Sequence, residues 1–379
     1  MTAGVLSVRE ALRTYSANLM GAIALAAVLG VLPFFADDSL VHVLGMTFLF
    51  VLLAVSWDLI VGYTGVVNLG LTTFVGLGGY ASALLIERQR LAGSELSFLT
   101  EFPPLPIHAT IPVAGLVAAF LGLLVGLLTL RLKGWYFALV TAILPLVFMQ
   151  TTYVWKEVFG GEEGFVVKVG LGATAIERYY AALAVLLLTL AGVLVLTRSR
   201  IGLRWKALRE DEVAAEALGV STMRYKLLAF VVSSFIAGVV GAMIVHYRMI
   251  ANNDLYDISL LLLVILAVVV GGQGTIWGPV VGGFLVYTVK NWWLKPLVFG
   301  YLWPMGIPLN DDILLYSILI VFAVARPHGL WEIIVKGSGA AFLTRTLPRI
   351  SPHPRGTTLP KATRATTRES KGPREADPT

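Results

Sequence analysis

Uncharged runs as long as a bilayer is thick dominate this chain. "NLMGAIALAAVLGVLPFFA" (18–36) and "ATIPVAGLVAAFLGLLVGLLTL" (109–130) carry no charged side chain. About 20 residues of apolar helix cross the ~30 Å of hydrocarbon in a membrane. Backbone amides in that medium must be satisfied within the protein, so only helices or closed barrels can span it. The runs are continuous rather than alternating, which argues against a barrel. The fold class is therefore all-α: a polytopic membrane protein. Only 14% of the 379 residues are charged, against about 25% in soluble domains. Cysteine is absent, so disulfides and thiolate metal sites are excluded.

Hydropathy predicts about ten spans, near 18–36, 40–60, 65–86, 109–130, 135–155, 179–197, 227–248, 258–271, 277–295 and 312–325. The first follows Arg9 and Arg13 and imitates a signal peptide. It is too long for one, and "FFADDS" is a poor cleavage site, so it reads as a retained span after a cytoplasmic N-terminus, 1–17. Arg131, Lys133 and the stretch 198–226 make one set of loops basic. The opposite loops hold Asp37, Asp38, Glu157, Glu162, Glu163, Asp254, Asp257, Asp311 and Asp312. Excess Lys and Arg marks the cytoplasmic side, which places both termini inside and the linker 87–108 outside. One membrane domain would fill 18–335. The tail 336–379 carries nine Lys/Arg and three Asp/Glu, which equals the whole chain's net +6. It lacks apolar periodicity and reads as a disordered, solvated cytoplasmic tail. A basic excess confined there implies no nucleic-acid partner; lipid is the partner of the rest.

The densest charge lies in 198–226. "EDEVAAEAL" is built of helix formers, and Gly219 is a natural stop. Val213, Ala214, Ala217 and Leu218 share one small-residue face, with Glu212 and Glu216 as an acidic stripe beside it. Such a helix is either an ordinary solvated surface element or a docking element for a partner's groove.

The segment "ALREDEVAAEALGVSTMRYKLLAFVVSSFIAGVVGA" resembles the cytoplasmic coupling segment of permease subunits in the branched-chain amino acid and urea class of ABC importers. Ala214, Ala215 and Gly219 occupy the Ala, Ala and Gly positions of the importer pattern E-A-A-x-x-x-G. Val213 stands at the Glu position, with Glu212 one residue earlier. "VVVGGQGTIWGPVVGGFLV" is similar to the late Gly-rich element of the same family. "WDLIVGYTGVVNLGLTTFVGLGGYASALL", "LKGWYFALVTAILPLVFMQ" and "GGEEGF" extend the likeness over roughly 40–330. Where family members commonly have Gly-His after the first Gly cluster, this chain has Gly70-Leu71-Thr72-Thr73-Phe74. The resemblance implies ATP-binding subunits, a second homologous permease subunit and an extracytoplasmic substrate-binding protein as partners. It implies that Arg209, Glu212, Val213, Ala214, Ala215, Glu216, Leu218 and Gly219 couple to the ATPase. Branched-chain or other hydrophobic amino acids are the implied cargo, with urea or amides as the alternative.

Two stretches, "VGYTGVVNLG" and "GGQGTIWGPVVGG", break apolar helix with glycine. Unwound backbone at membrane depth is tolerated where it is buried or lines a wet cavity, and its free amides and carbonyls can hold a zwitterion. Asn68, Thr72, Thr73, Tyr136, Gln150 and Thr151 are the pathway candidates. Gly62, Gly65, Gly70, Gly271, Gly272, Gly274, Gly278 and Gly282 serve either as hinges or as close-packing positions. His42 and His246 read as satisfied interfacial side chains, and Asp58 as a cap or pair near the cytoplasmic surface. No phosphate-binding loop, metal-ligand spacing or nucleophile–base set occurs, so neither an enzyme nor a cofactor is expected. An ion-coupled secondary transporter and a channel are the other classes that a polytopic body admits.

The orientation has a direct test in a cysteine-free chain. Ser199→Cys should resist an impermeant thiol reagent in intact cells and Glu162→Cys should react; the reverse pattern would invert the topology.

Overall fold

The computed structural model describes residues 29–93, 97–101, 103, 105–132, 134–302, 304, 310–325 and 329–331. Most of the predicted first span, the N-terminus 1–17 and the tail 336–379 lie outside these residues. The described chain is helical almost throughout. Its long elements are α1 (Asp38–Thr64), α2 (Leu71–Ile86), α3 (Ile107–Thr129), α4 (Trp135–Val154) and α5 (Ala175–Arg198). Two short helices follow, α6 (Arg200–Glu210) and α7 (Glu212–Ala217). The rest are α8 (Thr222–Arg248), α9 (Ile258–Gly271), α10 (Trp277–Thr288) and α11 (Asp311–Ala325). α10 runs on through the π-helical turns Val289–Leu294 and Val298–Leu302.

Five helices, α1, α3, α4, α5 and α8, are long and apolar enough to cross a membrane; α2 and α9 are shorter apolar helices. Their boundaries lie within a few residues of the predicted spans with one exception. α2 begins at Leu71 rather than near residue 65, because 65–70 is not helical. Gly65 ends α1 in the left-handed region, with its N–H on the Val61 carbonyl at 3.1 Å.

α1 is the hub. Every residue from Leu44 to Thr64 is buried, and α5, α8, α9 and α10 pack around it. A helix that is apolar on all sides belongs at the centre of a bundle. α8 is the second axis, set against α1, α2 and α3. In contrast α3, α4 and α5 each leave a face uncovered, as Leu116, Phe120, Leu139, Ile143 and Leu188 show. Lipid offers no hydrophobic gain for helix association, so close approach of small residues does the holding. Gly241 of α8 lies against the Val75 backbone of α2, and Gly78 of α2 lies against Gly238 of α8. Gly122 and Gly126 face Ser234, Leu227 and Phe230 of α8.

The contacts define two ends. At one, α6 and α7 close over the end of α1. At the other, the two-stranded ribbon β1 (Phe165–Val166) and β2 (Ile250–Ala251) joins distant loops. There Glu87 accepts from the Lys168 amide at 2.9 Å and Arg90 Nε donates to the Val158 carbonyl at 3.0 Å. His246 of α8 is buried beneath this end. One ring nitrogen meets the Val169 carbonyl at 2.8 Å and the other the Ser82 hydroxyl at 2.7 Å. Its polar atoms are satisfied, as the sequence suggested for it.

Gly241→Leu should therefore push α2 off α8. Overpacking costs about 1–3 kcal/mol and more against backbone, so thermal unfolding in detergent should shift down by several degrees. Gly192→Leu, with open space around it, should leave the midpoint in place.

Candidate functional site

α6 starts where α5 stops. The Ser199 hydroxyl accepts from the Ile201 amide at 3.1 Å, a side-chain cap that begins a new helix. Trp205 is fully buried and donates its indole N–H to the Tyr225 carbonyl at 2.8 Å. Leu208 is buried as well, so α6 is pinned by two large side chains one turn apart. Arg204 reaches the Tyr225 hydroxyl.

The sequence suggested a short helix in "EDEVAAEAL" with Asp211 and Glu212 near its beginning and Gly219 as its stop; the structure has it as α7 and sets a separate helix, α6, before it. Asp211 adopts an extended conformation and its carboxylate accepts from the Ala214 amide at 2.9 Å. A short acidic side chain competes with the helix for backbone amides, which is why Asp favours caps. α7 ends at Gly219, whose φ of 84° only glycine adopts freely. The Gly219 amide reaches the Glu216 carbonyl at 2.9 Å, and the Val220 amide reaches the Ala215 carbonyl at 3.0 Å. This paired closure satisfies the last carbonyls and turns the chain into α8.

The residues singled out in α7 divide. Val213 is 77% and Leu218 86% exposed, and Ala214, Ala217 and Glu216 are exposed beside them. Ala215 does not share that face. It is buried, since it lies on the opposite side of a helix that turns by 100° per residue. Glu212 is engaged at home, paired with Lys226 of α8 at 2.6 Å.

Arg209 ties this segment to the core. Its Nη1 donates to the Gly62 carbonyl at 2.5 Å, one of the terminal carbonyls of α1 that no helical amide can reach. Asp58, one turn earlier on α1, is 2% exposed. Its two carboxylate oxygens accept from the Gly274 amide at 2.9 and 3.2 Å. Sequence placed Asp58 near the surface as a cap or pair; it is a buried cap, and it caps the break between α9 and α10. Gly274 has φ of 78°, a conformation suited to glycine. A side chain there would also collide with the Arg209 guanidinium, and one at Gly62 would collide with Asp58. Three elements distant in sequence thus meet at one point: the end of α1, the α9–α10 break and α6. Gly271, Gly278 and Gly282 pack against the backbone of their own break and of Ala267, which is their close-packing role. Gly272 touches Gly329, and Trp331 stacks on Trp277 with centroids 6.2 Å apart.

The pathway candidates fall into two groups on opposite sides of α4. Asn68, Thr72 and Thr73 are buried at the 65–70 break. Asn68 Oδ1 accepts from the Gly70 amide at 2.9 Å, and its carbonyl accepts from Trp57 Nε1 at 2.8 Å. The Leu69 amide donates to Thr141 of α4 at 3.1 Å, and Gly70 abuts the Thr141 carbonyl. The break is well held, yet Asn68 Nδ2, Thr72 Oγ1 and Thr73 Oγ1 are buried with no partner. Buried polar atoms are paired in more than about 90% of cases, and these three, without a partner among the described residues, gather at one break. Tyr136, at 71% exposed, and Gln150 lie on the outer face of α4. Gln150 and Thr151 line a shallow apolar groove with Leu146, Val147 and Trp155. A larger cavity, about 780 Å³, opens between the end of α1, the α3–α4 connection and the α6–α7 segment, and none of the six pathway candidates lines it. Thr64, Gly65, Leu130, Trp135, Val213 and Lys226 are on its walls. Sequence alone could not have found this bowl, because its walls come from four separate segments.

The sequence pattern of the family described as branched-chain amino acid transport system / permease component matches residues 39–323. Among curated proteins, the chain is similar to the high-affinity branched-chain amino acid transport system permease protein LivM of Salmonella typhimurium, at 28% identity over 292 residues. It is 27% identical to the LivM protein of Escherichia coli over the same length. Each match covers 68% of this chain and 64% of the relative, so the chain spans just under two thirds of these relatives' length. The ribose import permease protein RbsC of Haemophilus influenzae is 24% identical over 270 residues, 68% of this chain and 78% of that protein. No solved structure matches.

The orphan hydroxyls yield a structural prediction. A buried hydroxyl without a partner carries a desolvation penalty of about 1–3 kcal/mol. Thr72→Val and Thr73→Val, which keep the shape, should leave the unfolding temperature of the solubilised protein unchanged or raise it. Ser56→Val is the contrast, since the Ser56 hydroxyl meets Ser233 Oγ at 3.0 Å and its carbonyl at 2.8 Å; it should lower that temperature.

Proposed function

Because the chain belongs to the family of branched-chain amino acid transport permease components, we propose that it is the multi-pass, inner-membrane permease subunit of an ABC importer. With a second homologous permease subunit it forms the path for branched-chain or other hydrophobic amino acids. Separate ATP-binding subunits drive it, and an extracytoplasmic binding protein feeds it. The names of its relatives support branched-chain amino acids as the cargo; the partners are those that the resemblance of the segment around Ala214, Ala215 and Gly219 implies.

One observation carries this reading: α7 offers an uncovered apolar face whose root is bolted into the membrane body. A solvated loop has no use for Val213 and Leu218 standing out in water, nor for an arginine tying the preceding helix to Gly62. An ATPase groove receiving Val213, Ala214, Ala217 and Leu218 would grip the segment. Its motion would then pass through Arg209 to α1 and, by Asp58, to the α9–α10 break. Rigid displacement of a packed element is a common switching device. The unpaired Asn68, Thr72 and Thr73 groups supply the polar surface that an amino acid's charged ends need at depth. The uncovered side of α4, with Tyr136, Gln150 and Thr151, is the face for the second permease subunit. Ala215 and Glu212, both engaged within the chain, hold α7 in place for docking.

The test uses the transporter reconstituted with its ATPases and binding protein, with ATP hydrolysis and uptake measured separately. Burying a Val or Leu side chain is worth about 1.5–3 kcal/mol. Val213→Asp and Leu218→Asp should therefore weaken ATPase association about 10–100-fold and abolish uptake with it. Glu216→Ala removes an exposed charge worth about 0.2–1 kcal/mol and should change association only a few-fold. Normal uptake in both Asp variants would overturn the docking role.

A further inference from the structure

The end of the bundle opposite α6 and α7 holds a second polar cavity, about 280 Å³ in volume. This is near the lower limit of ~300–1,000 Å³ for small-molecule sites, the size for one small metabolite rather than a peptide. Its floor is apolar. Met46, Phe50 and Leu53 present one face of α1 at i, i+4 and i+7, and Leu260 and Leu263 of α9 stand opposite. Its mouth is charged with both signs: Arg248, Lys290, Asp254, Asp257 and Asp312.

The charges are not equivalent. Lys290 is paired with Asp312, so that cation is neutralised. Asp254 accepts from Asn252 Nδ2 at 2.7 Å. Asp257 uses one oxygen, Oδ1, to cap α9 through the Ser259 amide at 2.9 Å, and its other oxygen has no partner among the described residues. Arg248 makes no ion pair among the described residues, and Tyr287 lines the cavity with it. A guanidinium is a planar fork matched to a carboxylate. An unmatched Arg and a half-used Asp at the mouth, over a floor of Phe, Leu and Met, are complementary to one class of molecule.

We propose that this vestibule is a receiving site for a zwitterionic amino acid with an aliphatic side chain. The α-carboxylate sits on Arg248, the ammonium on Asp257, and the side chain points down between Phe50, Leu53 and Leu263. The proposal rests on the transport reading. If α7 faces the ATPase, this vestibule faces the side from which cargo arrives. Arg248 acts as a binding residue here, distinct from the Asn68, Thr72 and Thr73 group, which lies at the other end of α1.

The probe is a leucine analogue carrying a photoactivatable diazirine in its side chain, applied to the assembled transporter and mapped by mass spectrometry. Label should fall on the segments of Phe50, Leu53, Leu260 or Leu263. Excess leucine should remove it, whereas excess leucinamide, which lacks the carboxylate, should not. Arg248→Gln should lower labelling about ten-fold or more, the scale of a lost charge-assisted contact. Leu263→Trp, which fills the floor, should lower it equally while subunit co-purification and the unfolding temperature stay normal. If wild-type transporter takes up leucine but the label lies elsewhere or ignores Arg248→Gln, the vestibule is refuted and the transport reading stands. If wild-type transporter takes up no branched-chain or other hydrophobic amino acid in any lipid tested, the transport reading fails and this proposal fails with it.

Discussion

A backbone amide freed at a helix break needs an acceptor, and Asp58 is the acceptor for Gly274. Gln273 in the break between α9 and α10 is exposed and Gly274 is half-buried, yet the Gly274 amide turns inward to the buried Asp58 rather than outward. A carboxylate taking both contacts from one amide, at 2.9 and 3.2 Å, fixes where that break sits against α1. The same end of α1 has terminal carbonyls to satisfy, and Arg209 meets one of them. Two unmet backbone needs, the Gly274 amide and the Gly62 carbonyl, are thus answered by two side chains, Asp58 and Arg209, that meet at one point.

This node explains why glycine occurs where it does at the α6–α7 end. Gly62 and Gly274 leave no room for a side chain beside Asp58 and Arg209. The hub helix α1, buried on every side from Leu44 onward, then carries the constraint through the bundle. One end of α1 meets the α6–α7 segment, and residues Met46 to Leu53 floor the opposite vestibule. A single rigid element therefore touches the α6–α7 end, the 65–70 break and the cavity at the far end. For a permease, this is the economy expected of a part that must relate events on two sides of a membrane.

The exposed faces of α3, α4 and α5 set the remaining physical requirement. Isolated apolar side chains are unremarkable in lipid, but Tyr136 and Gln150 on the outer face of α4 add polarity where hydrocarbon offers no partner. In the proposed assembly, a second permease subunit would give those groups something to bond. The orphan atoms of Asn68, Thr72 and Thr73 make the same demand from the inner side of the same helix.

Much of the fold was legible in the sequence, because span length is set by membrane thickness and apolar runs of the right length have few alternatives. The positions of α1, α3, α4, α5, α8 and α9 follow from hydropathy to within a few residues. So do the stop at Gly219 and the exposed Val213–Leu218 face, which depend only on local conformation and helical periodicity. Tertiary structure decided the rest. It added α6, pinned by the buried Trp205 and Leu208, before the helix that begins after Asp211. It turned Ala215 inward and tied Glu212 to Lys226, because α8 lies beneath α7. It joined Asp58 to Gly274, 216 residues away, and gathered Arg248 and Asp257 over Phe50. Periodicity along one helix carries no information about which break, 200 residues on, will need its carboxylate; only the packed bundle brings the two together.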